Sequence, residues 1–304
     1  MLGTPEVSVI VCFYNQAWVA PLIFSALEQQ ITEVSYEVLL CDDGSDDSFS
    51  ELAKSWAESA KIDVRIIWQP HRGFRAARSR NNGIRCARGE ILAFLDGDTW
   101  VTSRFIDEHW SAHANARRLV CGSRSDLFLD TPVLRDDLGA QLAREAVVTD
   151  CAELAYKNQW LGSGRPWMAC TSGNFSISRE PALFFDEGFV GWGSEDRDLA
   201  IRLWRAGCEV VVLPRPNAVH IQEPSRPKIG NSSELISHLR GKLLLRDKYP
   251  AGEMKFSLEM VKYCHFDPEL NGWFEDEAPS HATVDEILDE FKRWCILTGF
   301  SEYS

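Results

Sequence analysis

Two acidic clusters and one basic segment in this 304-residue sequence have the side chains for phosphate and hydroxyl chemistry. Asp96-Gly97-Asp98 follows the apolar run Ile91 to Leu95, and the glycine lets the chain turn so that both carboxylates face one point. Hard divalent cations take such oxygen ligands, and substrate phosphates commonly complete their shell. Asp-Gly-Asp is equally a good turn sequence; its place at the end of an apolar run favours the metal reading. The second cluster, Gly191-Trp192-Gly193-Ser194-Glu195-Asp196, opens a helix whose core positions include Leu199 and Leu203. A capping Ser194 and acids at the positive end of the helix dipole are one sufficient reason for it. The other is chemical: a sugar ring can stack on a loop aromatic such as Trp192, and a neighbouring carboxylate can accept a hydroxyl proton. The basic segment, His71 to Glu90, carries Arg72, Arg75, Arg78, Arg80, Arg85 and Arg88 against one acid, a net +5 in a chain of −13. Arg75 and Arg78 stand one helical turn apart and can present guanidinium groups to a diphosphate, while others of the six pair with surface acids.

Alternating elements must carry these residues. Val7 to Phe13, Tyr36 to Cys41, Val64 to Trp68 and Ile91 to Leu95 read as buried strands. Helical spacing separates them, over Val19 to Leu27, Phe49 to Ala60 behind the capping-type Asp46 and Ser48, and Arg75 to Ala87. The fold class is therefore α/β, a mostly parallel sheet with helices on both faces. In such sheets ligands sit beyond the carboxyl ends of the strands, where Tyr14-Asn15, Asp42-Asp43 and Asp96-Gly97-Asp98 fall. Farther on, residues 126–164 read as helical and polar, Trp167 to Ser178 as a strand, Glu195 to Ala206 as a helix and Val210 to Leu213 as a strand. Glu223 to Gly230, rich in Pro, Arg, Lys and Gly, reads as a mobile loop. Ser232 to Tyr249 and Thr283 to Ile296 are the helices of a mainly helical C-terminal extension.

Composition excludes several classes. With 45% apolar and 11% aromatic residues, the chain can bury a full core, which rules out wholesale disorder and a disulfide-stapled miniprotein. The net charge of −13 disfavours electrostatic binding to nucleic acid. Nine dispersed cysteines without a Cys-x-x-Cys pair read as buried thiols of a reducing cytosol. There is no signal-like N-terminus and no transmembrane segment of 18 uncharged apolar residues, so the expected location is cytoplasmic. Arg240, Lys242, Arg246 and Lys248 raise a peripheral contact with an acidic membrane, against which an ordinary packed helix with a solvated basic edge is favoured.

Val7 to Asn15, Asp42-Asp43-Gly44-Ser45, Gly73 to Arg78 with Asn81-Asn82-Gly83, and Phe94 to Asp98 together resemble the nucleotide-binding half of an inverting family 2 glycosyltransferase with the GT-A fold. Thr171-Ser172-Gly173-Asn174 followed by Gly191 to Asp196 resembles the acceptor half shared with galactosyltransferases and chondroitin-polymerase-type enzymes. The ordered match implies a GT-A domain over 5–222, divided into a nucleotide half at 5–100 and an acceptor half at 101–222, with 223–304 as loop and extension. It implies that Asp96 and Asp98 hold Mn2+ or Mg2+ on the donor diphosphate, with His220 as third metal ligand. It further implies that Tyr14 and Asp43 contact the nucleobase or ribose, that Arg75 or Arg78 touches the diphosphate, that Asp196 is the catalytic base, and that Glu195 and Trp192 contact acceptor or donor sugar. The expected partners are a nucleotide-sugar donor, with UDP favoured, and an acceptor that the sequence does not specify. Two departures stand out: Cys12-Phe13-Tyr14-Asn15 lacks the family's frequent proline, and Gly193-Ser194 replaces a Gly-Gly. The competing readings are a nucleotidyltransferase, which lacks a Gly-rich phosphate loop here, and a catalytically silent sugar-nucleotide or glycan-binding subunit, which would need no base.

Overall fold

The structure is a computed structural model and describes residues 3–114, 116–128, 139, 142, 151–179, 184–222, 233–249, 261, 264–267, 272–275 and 281–298. The expected mobile segment, Glu223 to Gly230 with Arg226 and Lys228, lies outside the described residues. The chain forms two compact units, one of Met1–Asp186 with Asp196–Arg226, the other of Glu187–Glu195 with Pro227–Ser304.

In the first unit, β1 (Val7–Phe13), β2 (Tyr36–Asp42), β3 (Asp63–Trp68) and β4 (Ile91–Asp96) alternate with α1 (Ala20–Glu28), α2 (Asp47–Ser59) and α3 (Ala76–Cys86). β5 (Thr99–Val101), α4 (Phe105–His113), β6 (Arg118–Cys121), β7 (Arg124–Phe128) and α5 (Ala152–Asn158) follow, then β8 (Asn174–Ser178), α6 (Glu195–Arg205), β9 (Glu209–Val212) and β10 (Ala218–Gln222). The main sheet has the order β3-β2-β1-β4-β8-β6-β9. Only β8 opposes its neighbours, running antiparallel to β4 and β6. A second, three-stranded sheet, β5-β10-β7, sets His220 across from Thr99 on one side and Asp126 on the other.

The sequence explains the frame. The largely apolar strands β1, β2 and β4 are covered on both faces. On one face Phe24 stacks on Trp56 at 4.3 Å and Phe13 meets Phe49 at 4.8 Å, joining α1 and α2 to the sheet. On the other, Gly83 lets α3 close on the strands, since a Cβ there would lie 2.6 Å from Ile10 and 2.7 Å from the Cys41 sulfur. Asp46 caps α2 by accepting the Phe49 N–H at 3.2 Å. Fully buried Glu37 ties the start of β2 to the chain before β4: it accepts from Ser8 at 2.6 Å, from the Arg88 N–H at 2.7 Å and from Arg65 at 2.6 Å.

Three expectations change. Trp167 to Ser178 is not one strand; a 3-10 turn at Pro166–Ala169 precedes β8. Within 126–164 the described residues begin as the end of β7, with helical positions at Gly139 and Leu142 and in α5, so the stretch does not start as helix. The C-terminal unit contains α7 (Ser233–Lys248) and α8 (Val284–Thr298), and also a hairpin of β11 (Cys264–Asp267) and β12 (Gly272–Glu275). Buried Trp273 meets Phe291 edge-on at 5.4 Å, so these aromatics are core. The basic edge of α7 is not a free face: Arg240 is buried, and Arg246 pairs with Asp289 at 2.9 Å. No helix among the described residues is long and apolar enough to cross a membrane.

Candidate active site

The loops after β1 and β2 are built as one unit. Asn15 takes a left-handed φ of 51°, donates its N–H to Ser45 Oγ and accepts the Asp46 N–H, both at 2.9 Å. Gly44, at φ 78°, lies so close to the His71 backbone that a Cβ would fall 2.3 Å from its nitrogen. Here the half-exposed Tyr14 ring stacks on His71 at 4.0 Å and 11°. Asp43 is 6% exposed, accepting from Gln69 Nε2 at 2.6 Å and from the Arg75 N–H at 3.2 Å, while His71 Nδ1 donates to its carbonyl at 3.0 Å. Tyr14, Asp43 and Arg75 are thus brought together, joined by Gln69 and His71. Arg75 sits at the cap of α3 with its Nε buried and without a hydrogen bond among the described residues.

Asp96 and Asp98 serve different partners. Asp96 accepts from Arg80 Nη2 at 2.9 Å and from Arg124 Nη1 at 3.5 Å. Arg80, not Arg78, is the arginine of α3 that turns inward; it is 3% exposed, whereas Arg78 is exposed. Asp98 instead faces His220, Oδ2 to Nε2 at 3.6 Å, while His220 Nδ1 donates to Asp126 at 2.9 Å. Gln222 Nε2 also donates to Asp126, at 3.0 Å. Burial alone would favour the neutral imidazole, but Asp126 and Asp98 outweigh it and hold the His220 pKa at about 9. Gly97 and Asp98 form the expected turn between β4 and β5, and the glycine also permits close packing, since a Cβ there would lie 2.4 Å from the Phe13 ring.

Among the described residues no three His, Cys, Asp or Glu side chains form a ready cation cage. One carboxylate facing one imidazole, whose other nitrogen is held by a carboxylate, nevertheless suits a divalent cation that takes its remaining ligands from a phosphate. Such a cation would displace the imidazolium proton.

The Thr171 to Asn174 stretch meets the head of α6, where the Ser172 N–H donates to Asp196 Oδ2 at 3.0 Å and the Arg197 N–H to Oδ1 at 2.7 Å. Asp196 is half-buried. In the C-terminal unit, Gly191 and Gly193 adopt φ of 97° and 90°, and Ser194 follows at 81°. A Cβ on Gly191 would lie 2.5 Å from Ser237, and one on Gly241 would lie 2.8 Å from the Gly193 carbonyl, so α7 fits this loop through two small residues four apart. Trp192 is 38% exposed, with the His238 ring 5.6 Å away, and Glu195 is buried.

Sequence reasoning missed Gln69, His71, Arg124 and Asp126, and counted Arg80 without singling it out. Arg80 had a signal: Ala77, Arg80, Asn81 and Ile84 recur at helical period, which puts it on the inner face. The others reach the site by strand register and loop contact.

Residues 8–180 match Glycosyl transferase family 2, and residues 161–224 match the N-terminal domain of galactosyltransferase. The fold is that of the mannosyltransferase PcManGT from Pyrobaculum calidifontis, solved with GDP-Man and Mn2+ (TM-score 0.55, 17% identity, 98% of this chain and 76% of that one). It is also that of GalNAc-T7, solved with UDP, GalNAc and Mn2+ (TM-score 0.57, 17% identity, 95% and 54%). Fold and family match define the class as a glycosyltransferase with the GT-A architecture. The chain belongs to glycosyltransferase family 2. It is 23% identical over 246 residues to chondroitin synthase of Escherichia coli, covering 72% of this chain and 35% of that protein. It is 28% identical over 238 residues to polypeptide N-acetylgalactosaminyltransferase 11 of Xenopus tropicalis, covering 73% and 39%. The chain therefore spans little more than a third of the length of these two relatives.

Proposed function

We propose that this glycosyltransferase moves a sugar from a nucleoside-diphosphate sugar, with UDP as the favoured carrier, to an acceptor hydroxyl in one metal-dependent, inverting step. The observation that carries the reading is Asp98 facing His220 at 3.6 Å, with His220 anchored from behind by Asp126, at the carboxyl edge of a nucleotide-binding type of sheet. Tyr14 and Asp43, with Gln69 and His71, form the base-side wall, and Arg75 borders it. Asp98 and His220 would hold Mn2+ or Mg2+, the imidazole favouring Mn2+. When bound, the cation supplies positive charge to the departing diphosphate. Asp96 adds a donor-side carboxylate, and its partners Arg80 and Arg124 bring guanidinium groups to the same edge, where leaving-group charge develops. Asp196, oriented by the Ser172 and Arg197 N–H groups, accepts the acceptor's proton as in-line attack inverts the anomeric carbon. Glu195 and Trp192 are assigned sugar contacts from their place in the motif. The proposed division into a GT-A domain at 5–222 and an extension at 223–304 rests on the same resemblance.

Calorimetry with UDP-sugars and GDP-mannose, with Mn2+ and with chelator, tests the donor side. Asp98→Ala and His220→Ala are expected to weaken metal-dependent binding by roughly 10-fold or more. Asp196→Asn is expected to keep donor binding and to lower transfer by at least about 100-fold. Undiminished binding in chelator, or wild-type turnover by Asp196→Asn, would overturn the assignment.

A further inference from the structure

We propose that Glu153, on α5, is a positioning residue that fixes Asp96 and Asp196 from one point behind both. The inference rests on the reading of Asp196 as the base. Glu153 Oε2 accepts the Arg124 N–H at 2.5 Å and lies 3.9 Å from Arg124 Nε. Held there, Arg124 aims Nη1 at Asp96 Oδ2, 3.5 Å away, and at Thr99 Oγ1, 3.4 Å away. Glu153 Oε1 accepts the Thr171 hydroxyl at 3.0 Å. The next residue, Ser172, donates its N–H to Asp196. One carboxylate therefore reaches Asp96 through Arg124, and Asp196 through Thr171 and Ser172.

The packing between the two branches leaves little slack. A Cβ on Gly173 would lie 1.8 Å from Arg124 Nη1 and 2.8 Å from Asp96 Oδ2, so the Thr171 to Gly173 backbone is pressed onto the Arg124–Asp96 pair. Charge holds the anchor in place. Lys157, fully buried one turn along α5, pairs with Glu153 Oε1 at 3.2 Å and donates to the Gly122 carbonyl. Burial alone would raise the Glu153 carboxyl, but Lys157 and Arg124 outweigh it and keep it ionised. An i,i+4 pair would by itself explain Lys157 and Glu153. It does not explain why the Arg124 backbone and the Thr171 hydroxyl converge on the same carboxylate.

Glu153→Gln removes the charge at nearly constant shape, and Thr171→Val cuts only the Asp196 branch. Hydrolysis of UDP-N-acetylglucosamine, UDP-galactose and GDP-mannose, with water as acceptor, reads the chemistry, and amide exchange at Ser172 reads the positioning. Thr171→Val is expected to lower kcat by roughly 10-fold or more with the donor KM within about 2-fold, and Glu153→Gln to lower kcat at least as much, since small misplacements of reacting groups are costly. They should also speed Ser172 exchange while leaving that of β1 and β4 unchanged. The double variant should be no worse than the weaker single, as coupled residues are non-additive. Unchanged kcat and unchanged Ser172 exchange, or a loss confined to KM, would overturn the inference. If the wild-type chain hydrolyses none of the three donors, calorimetry still reads the donor side, and Ser172 exchange alone then decides for or against Glu153.

Discussion

At the scale of single residues, the aspartates of Asp96-Gly97-Asp98 divide their work. Asp96 is neutralised by Arg80 and Arg124, while Asp98 faces an imidazole. Two arginines only two positions apart consequently have different duties. Arg80→Ala should cut donor affinity by roughly 10-fold, because it leaves a carboxylate of the site with one fewer partner, whereas exposed Arg78→Ala should change it little; titration calorimetry separates them. Ser194 carries a different signal. At φ 81° a residue with a Cβ is strained, and its hydroxyl is buried without a hydrogen bond among the described residues. Ser194→Gly is therefore expected to hold or raise the melting temperature, while Ser194→Val should cost about 2 kcal/mol, read by chemical denaturation.

At the scale of elements, the site depends on strands and loops that approach too closely for side chains. Gly173 lies against Arg124 and Asp96, Gly97 against Phe13, and Gly44 against His71. Gly173→Ala should displace Arg124 and lower turnover by at least about 10-fold with the chain still folded, which far-ultraviolet circular dichroism and kinetics would show together. The register of β10 does equal work, since it puts His220 opposite Asp126 and beside Thr99. A one-residue slip would turn the imidazole to the opposite face of the small sheet. β4, α3 and the helical start of α6 were legible from apolar runs and 3.6-residue periods. β5, β6 and β7 were not, because three to five residues are too short for a period to stand out.

At the scale of the whole molecule, the acid sensitivity of the fold should come from a polar cluster inside the first unit. His109 bridges Ser176 and Asn174 at 2.8 and 3.0 Å, and His113 meets Ser176 at 2.9 Å. Burial lowers the pKa of His109 to about 3 and that of His113 to about 4. Both rings are thus neutral when folded and take up protons only on unfolding, so stability falls as pH drops from about 6.5 towards those values, by up to about 1.4 kcal/mol per pH unit for each ring. Urea unfolding at pH 7 and pH 5 should show the loss, and His109→Gln should flatten it. Arginines of the basic segment also find their places: Arg88, with Arg65 of β3, serves buried Glu37, Arg80 serves Asp96, and Arg78 remains exposed.

By itself the sequence determined the α/β frame, the family and most of the polar groups at the strand ends, because buried strands, amphipathic helices and ordered motifs are local patterns written in consecutive residues. Tertiary structure alone decided that Asp96 is what the inward-facing Arg80 meets together with Arg124, that Asp126 stands behind His220, and that Glu153 joins Arg124 to Thr171. Those pairings join residues 16 to 94 positions apart through register, glycine-permitted contact and the burial of charge, none of which has a period or spacing along the chain.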